Sequence, residues 1–261
     1  LQSSSAASDV YKRQPIYNEE ESLQALFDEL KSSFENNQSV EIIFINDGSS
    51  DMSQKVIENE IANYSTWKLI NLYRNYGKSV ALQSGIDIAS NELIATLDAD
   101  LQDDPKELIN LVHELNEDDV IVGWKKNRLD PFEKKIASKI FNFFIKLFSG
   151  LKIKDSNSGI KVLKKEVAKS LNLYGGRHRY IPLLAHQKGF NVKEIPVNHR
   201  ERKFGKSKYG AERYKHGFFD FMTILFLGKY MDRPLHFFGM VGFLSILFLS
   251  LIHISEPTRR D

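Results

Sequence analysis

Val40-Glu41-Ile42-Ile43-Phe44-Ile45 is a run of mainly β-branched and aromatic residues, and it stops at Asn46-Asp47-Gly48. An apolar run of this length that ends in a turn sequence is typical of a buried β-strand. We therefore place a buried strand at Val40 to Ile45, followed directly by a polar loop.

Strand-like and helix-like segments alternate on the C-terminal side of this strand. Such alternation predicts an α/β fold with a mostly parallel, Rossmann-like sheet and helices on both faces. Sheets of this kind bind ligands at the carboxyl ends of their strands, so the chemistry is expected in the loops after Ile45, Leu72 and Leu97. The predicted elements are a helix from Asp51 to about Ala62, a strand from Trp67 to Leu72, a helix from about Lys78 to Ala89, a strand from Glu92 to Leu97, a helix with Asp104 as N-cap and Pro105 as its first residue, and a strand from Asp119 to Gly123.

The composition excludes several classes of protein. The chain has 261 residues, of which 42% are hydrophobic and 27% charged, so it is neither disordered nor fibrous. This length favours one catalytic-sized domain with an appendage. The formal net charge of +2 provides no overall field that would attract nucleic acid. Because cysteine is absent, disulfides, thiolate metal sites and thiol nucleophiles are excluded together.

The C-terminal run Leu235 to Ile252 is a candidate membrane span. Its eighteen residues would cover about 27 Å as a helix, close to the roughly 30 Å of a bilayer core. The alternative is a buried core helix. The apolar-rich sequence of Gly217 to Asp232 favours a helix that lies at the membrane interface. Pro131 to Gly150 has a broad apolar face that fits a membrane surface and a protein core equally well.

Both ends of the chain differ in composition from the rest. Leu1 to Gln14 is polar and runs straight into Pro15, where an apolar strand is expected. We therefore predict that the first strand is missing and that segments 1–14 and 253–261 are not native to the protein.

The loop after the strand Glu92 to Leu97 is strongly acidic, with four acids in Asp98 to Asp104. Crowded carboxylates favour a hard cation such as Mg²⁺ or Mn²⁺. Alternate residues of an extended segment face the same way, so Asp98, Asp100 and Gln102 are candidates to bind one ion. Asp103 and Asp104 are expected to cap the next helix. The alternative is a plain solvated turn.

Two further loops carry candidate ligand groups. Asp47 can accept hydrogen bonds from a base or ribose, and Gly48 allows close approach of the backbone. Asp51 is expected to cap the following helix. In Arg74-Asn75-Tyr76-Gly77-Lys78-Ser79, a lysine sits at a helix N-terminus, a combination that suits phosphate. The spacing is not that of a P-loop.

Four motifs together resemble glycosyltransferase family 2, in the branch of polyprenyl-phosphate glycosyltransferases related to dolichol-phosphate mannosyltransferase and undecaprenyl-phosphate glucosyltransferases. They are Pro15-Ile16-Tyr17-Asn18-Glu19-Glu20, Asn46 to Asp51, Asn75-Tyr76-Gly77-Lys78 and Asp98-Ala99-Asp100-Leu101-Gln102. The resemblance implies a GT-A fold, a nucleotide-diphosphate sugar donor and Mg²⁺ or Mn²⁺. It also implies nucleotide-sugar binding by Pro15, Tyr17, Glu19, Asp47, Lys78 and Asp98, and metal binding by Asp98, Asp100 and Gln102.

Later motifs agree with this branch. Asp155-Ser156-Asn157-Ser158-Gly159-Ile160-Lys161 resembles the acceptor-side loop of the family, and Glu194 to Tyr209 resembles its basic loop. Residues 200–215 contain seven Lys/Arg and two Glu, a local excess of positive charge that suits anionic lipid headgroups. Arg200, Arg202, Ser207 and Lys208 are expected to position an acceptor phosphate.

These observations predict an inverting, metal-dependent hexosyltransferase that moves sugar from a UDP-glucose or GDP-mannose type donor to undecaprenyl or dolichyl phosphate. The predicted parts are a GT-A catalytic domain at 15–210, a juxtamembrane helix at 211–234 and a transmembrane helix at 235–252. The catalytic domain is expected on the cytoplasmic side of the membrane, and we allow for a homo-oligomer. The alternatives are a family 2 enzyme with a saccharide or protein hydroxyl acceptor, and an inactive membrane-anchored binding protein.

Overall fold

The computed structural model describes residues 10–34, 40–126, 142–143, 145–147, 149–198, 200, 212–230 and 233–255. Within these ranges, seven strands form one sheet: β1 (Val10–Ile16), β2 (Glu41–Asn46), β3 (Trp67–Asn71), β4 (Leu93–Thr96), β5 (Val120–Lys125), β6 (Lys161–Lys164) and β7 (Val192–Val197). The helices of the same ranges are α1 (Glu20–Phe34), α2 (Ser53–Ile61), α3 (Lys78–Asp87), α4 (Pro105–His113), α5 (Lys165–Ser170), α6 (Ile181–Gln187), α7 (Glu212–Tyr230) and α8 (Pro234–Ser255), with a 3-10 helix at Arg177–Tyr180.

The sheet is mostly parallel, as the sequence predicts. Its strand order is β3-β2-β1-β4-β6-β5-β7, and only β6 runs antiparallel to its neighbours β4 and β5. The sequence pattern does not reveal β6, because two of its four residues are lysine. Helix α1 contacts both α2 and α4, whereas α3 contacts α5 and the 3-10 helix.

The prediction that the first strand is missing is wrong. β1 lies in the middle of the sheet and pairs in parallel with β2 from Tyr11↔Glu41 to Ile16↔Asn46, and with β4 from Val10↔Leu93 to Arg13↔Thr96. Strand pairing is made by backbone N–H and C=O groups, which do not require an apolar side chain. The polar composition of residues 10–14 therefore concealed a strand that its two neighbours define.

Helix α1 supplies much of the core over β2 and β3. Leu23, Leu26, Phe27 and Leu30 follow a helical spacing and are all buried. The ring of Phe27 packs edge-on against Phe44 of β2, with 5.5 Å between the ring centroids. Every residue of β2 is buried, which fits its place between β1 and β3.

The C-terminal part begins within helix α7. The chain divides into two compact units, residues 1–220 and 221–261. Over Pro234–His253, α8 has a mean hydropathy of 2.2 and none of its residues buried, so it is long and apolar enough to cross a membrane. No other helix among the described residues meets that test. The domain boundaries at 210, 234 and 252 stay predictions.

Helix 131–150 falls mostly outside the described residues. Of the residues described within it, 142–143, 145–147 and 149 are helical, and 150 is not.

Candidate functional site

A cavity of about 210 Å³ opens at the carboxyl ends of β1, β2 and β4. The sequence-predicted residues Pro15, Tyr17, Glu19, Asp47, Lys78, Asp98 and Asp100 all line it, together with Ile16, Asn75, Gly77 and Ala99. These residues come from four separate loops, which the parallel strands bring to one edge of the sheet. The structure thus brings together every predicted nucleotide-sugar residue.

Asp47 connects two of these loops through hydrogen bonds. One of its carboxylate oxygens accepts the Tyr76 backbone N–H at 2.8 Å, and the other accepts the Gly77 N–H at 2.9 Å. Burial raises the pKa of Asp47, although these two hydrogen bonds favour its ionised form. Asp47 therefore shapes the loop before Lys78, and its predicted contact with a nucleoside stays a prediction.

Gly48 permits this close approach. Its φ of +68° is a left-handed conformation, and a Cβ placed there would overlap the backbone of Arg74 and lie 2.6 Å from the Asn75 nitrogen. Because backbone atoms are the obstacle, the loop cannot yield by a simple change of side-chain rotamer.

Replacing Gly48 with Ala is therefore expected to displace the Arg74 to Lys78 loop and weaken nucleotide binding by about tenfold or more. Gly175→Ala is the matched control, since Gly175 also has a positive φ (+53°) but open space around its Cβ. Isothermal titration with UDP and GDP would measure the effect. Equal affinities for the two variants would contradict this account of Gly48.

Lys78, the first residue of α3, pairs with Asp98 across the cavity at 2.5 Å. Burial raises the pKa of Asp98, but the positive charges of Lys78, Lys125 and Lys161 outweigh it and hold that pKa well below its usual range. The Asp98 carboxylate is thus ionised at neutral pH, beside a lysine at a helix N-terminus.

A group of buried charges lies behind Asp98. Lys125, at the carboxyl end of β5, pairs at 2.7 Å with Asp103, whose side chain is 1% exposed. Lys161, the buried first residue of β6, donates a hydrogen bond to the Ser158 carbonyl oxygen. Electrostatic interactions connect all six members of this charge cluster, Asp98, Asp103, Asp155, Lys78, Lys125 and Lys161.

The pKa values of Lys125 and Lys161 shift in opposite directions. Burial and the nearby Lys78 lower the pKa of Lys161 to about 8. Burial also lowers the pKa of Lys125, but the Asp103 carboxylate outweighs it and raises that pKa overall. Sequence reasoning assigned no role to Lys125 and placed Lys161 only at the end of the loop that resembles the acceptor-side loop, because neither lysine falls within a strand that the sequence predicts.

The acidic loop is turned rather than extended, so the alternation expected for Asp98, Asp100 and Gln102 is wrong. The chain turns at Ala99–Asp100, and the buried Leu101 has a φ of +60°. Asp98 and Asp100 line the cavity, but Gln102 does not. The Gln102 backbone N–H donates to Asp100 at 3.2 Å, so this residue orients the Asp100 carboxylate.

The structure confirms one helix-cap prediction and contradicts another. Asp104 caps α4, because its side chain accepts the Lys106 backbone N–H at 3.0 Å. Asp103 does not cap the helix and is instead the buried partner of Lys125. Asp51 accepts the Ser53 N–H at 3.0 Å at the start of α2.

The structure does not bring Arg200 to the cavity. Its guanidinium pairs with Glu29 of α1 at 2.8 Å and also with Asp104, and its backbone N–H donates to the Gln102 carbonyl. Two carboxylates therefore hold this arginine, and the prediction that it binds an acceptor phosphate is not supported by its position. Arg202, Ser207 and Lys208 lie outside the described residues.

The residues of the cavity suit a divalent cation that also binds phosphate oxygens. Its wall carries the carboxylates of Asp98 and Asp100, which are hard oxygen ligands. Among the described residues, no cluster of three or more acidic or histidine side chains could hold a metal alone. Mg²⁺ commonly takes only one or two carboxylates and completes its shell with substrate phosphate oxygens and water.

The fold and the cavity define a glycosyltransferase of the GT-A type. Residues 15–171 match the family described as glycosyl transferase family 2, and the chain belongs to that family.

Two relatives have similar sequences over most of this chain. The dodecaprenyl-phosphate galacturonate synthase of Rhizobium johnstonii is 35% identical over 235 residues, covering 87% of this chain and 70% of the relative. The undecaprenyl-phosphate 4-deoxy-4-formamido-L-arabinose transferase of Yersinia pestis is 35% identical over 233 residues, covering 87% and 69%.

A solved structure supports the fold. A mannosyltransferase of Pyrobaculum calidifontis, in complex with GDP-Man and Mn²⁺, superposes with a TM-score of 0.62 at 16% identity. The match covers 82% of this chain and 64% of that one.

Proposed function

We propose that the protein transfers a sugar from a nucleoside-diphosphate donor to a polyprenyl phosphate at a membrane. The observation that carries the proposal is the meeting of Lys78, Asp98 and Asp100 in one cavity at the edge of a GT-A sheet. The names of the two relatives, both polyprenyl-phosphate sugar transferases, support this choice of acceptor.

The donor would lie along the cavity. Its diphosphate would meet Lys78 and the N-terminus of α3, where a positive charge and free N–H groups favour an anion. Asp98 and Asp100 are the residues that would hold Mg²⁺ or Mn²⁺. Such an ion neutralises the charge that develops on the departing nucleoside diphosphate. The Mn²⁺ named with the Pyrobaculum enzyme supports a divalent ion in this role.

The reaction is a single in-line displacement at the anomeric carbon. An oxygen of the lipid phosphate forms a bond to that carbon as the bond to the donor diphosphate breaks, and the configuration inverts. A phosphate monoester is already anionic at neutral pH, so no protein base has to remove a proton. What this chain supplies is orientation and compensation of charge.

Membrane attachment would bring the lipid to the cavity. Helix α8 has the length and hydropathy of a membrane span, and the basic residues 200–215 would contact anionic headgroups. We propose that Arg202, Ser207 and Lys208 bind the acceptor phosphate, and that the catalytic unit faces the cytoplasm.

The sugar is best identified by a donor panel. Membranes containing the full chain and added polyprenyl phosphate would receive labelled UDP-glucose, UDP-galacturonate, a UDP-pentose or GDP-mannose, with Mg²⁺, Mn²⁺ or EDTA. We expect label in the organic extract with one donor, and its loss with EDTA. Our preference among the donors is a hexose such as UDP-glucose. Label in water-soluble saccharide or in protein would instead favour a hydroxyl acceptor, and binding of donor without transfer would indicate an inactive binding protein.

A further inference from the structure

Glu194 of β7 holds the loop that leads into the charge cluster. Its Oε1 accepts the Lys154 backbone N–H at 2.9 Å and the Asp155 N–H at 2.7 Å, and its Oε2 accepts the Lys154 N–H at 3.0 Å. A half-buried carboxylate thus binds two consecutive backbone N–H groups. Burial raises the pKa of Glu194, while these two N–H groups favour its ionised form.

The far end of the same loop touches the cavity wall. The Thr96 hydroxyl donates to the Gly159 carbonyl at 2.8 Å, and Lys161 donates to the Ser158 carbonyl. A Cβ on Gly159 would lie only 2.7 Å from the Asp98 carboxylate. The segment 154–159 is therefore fixed at one end by Glu194 and packed at the other against Asp98.

The Lys154 side chain strengthens the anchored end. Its ammonium lies 3.7 Å from the centre of the Trp124 ring on β5, the strand that pairs with β7. β7 also leads directly into the basic segment that begins at Arg200. Glu194 and Trp124, from two paired strands, thus hold the Lys154 end of the segment.

We propose that Glu194 is a positioning residue, which sets segment 154–159 against Asp98 and so fixes the Asp98 carboxylate at the cavity wall. The proposal rests on the proposed function for the role of Asp98 in holding the donor. Its structural part, the anchoring of the Lys154 and Asp155 N–H groups, is independent of that function.

The first test is hydrogen exchange in the full chain in detergent. In Glu194→Ala, exchange of the Lys154 and Asp155 amides is expected to accelerate by about tenfold or more, because their acceptor is gone. Glu194→Gln keeps one carbonyl oxygen and is expected to lie between Ala and the unaltered protein. The Tyr76 and Gly77 amides, which Asp47 binds, should not change. Unchanged exchange at Lys154 and Asp155 would overturn the proposal.

The second test separates positioning from loss of the fold. For Glu194→Gln we expect the donor Kd, measured with Mn²⁺ present, to rise by about tenfold, with the melting temperature unchanged. Glu114→Gln is the matched control, since Glu114 accepts from the neighbouring Lys193. An unchanged donor Kd, or a loss of donor affinity matched by a fall in melting temperature, would overturn the positioning role. Absence of transfer by the unaltered protein would count against the proposed function, and the exchange result would still decide the anchoring.

Discussion

Asp100→Asn is expected to lower sugar transfer by about 100- to 1000-fold while leaving the fold intact. Asp100 lines the cavity, and its carboxylate is one of the two that could bind a cation beside the donor diphosphate. An amide keeps the shape of the side chain but removes the negative charge, so the cation would be held weakly and the leaving group poorly neutralised.

The control for this variant is Asp104→Asn, four residues further along the same loop. Asp104 caps α4, where asparagine is as good an N-cap as aspartate, and its other partner Arg200 keeps its pairing with Glu29. Initial rates at several Mn²⁺ concentrations would show whether Asp100→Asn needs more metal, as we expect. Full activity of Asp100→Asn at low Mn²⁺ would remove Asp100 from the metal site.

Lys125→Met is expected to destabilise the catalytic unit by about 3–5 kcal/mol, because it leaves the Asp103 carboxylate buried without its partner. For a unit of this size, that corresponds to a fall in melting temperature of at least about 6 °C. Lys164→Met is the control. Lys164 pairs with Asp119 at the same 2.7 Å, but its side chain is 32% exposed, so we expect a loss of no more than about 1 kcal/mol.

The double variant Lys125→Met/Asp103→Asn tests the cause of the stability loss expected for Lys125→Met. If the cost comes from an uncompensated buried charge, neutralising Asp103 should recover much of the lost stability. Thermal unfolding followed by circular dichroism would measure all four proteins. Similar melting temperatures for Lys125→Met and Lys164→Met would argue against a buried ion pair.

The cavity residues at the strand ends could be predicted from sequence, and the reason is physical. Asp47, Lys78, Asp98 and Asp100 each follow a strand or begin a helix, and a parallel sheet places such positions along one edge. The α/β class follows from the same alternation. Hydrophobic patterning therefore predicts these four positions of the cavity, whereas Pro15, Tyr17 and Glu19 follow only from the resemblance to the family.

The buried charges could not be found in this way. Lys125 and Asp103 are far apart in sequence and meet only because β5 lies two strands from β4 in the sheet. The turn at Leu101, with its positive φ, removed Gln102 from the cavity against the alternation rule. Strand β1 was missed because backbone pairing, rather than apolar side chains, defines it.

The most direct test of the central claim is a comparison of two acceptors that differ in one phosphate. The full chain, purified in detergent, would be given labelled donor with Mn²⁺ and either polyprenyl phosphate or the corresponding polyprenol. We predict that label enters only the phosphate-bearing lipid and that mass spectrometry finds the sugar on that phosphate, with its anomeric configuration inverted. Transfer to the polyprenol, or a product of retained configuration, would contradict the account.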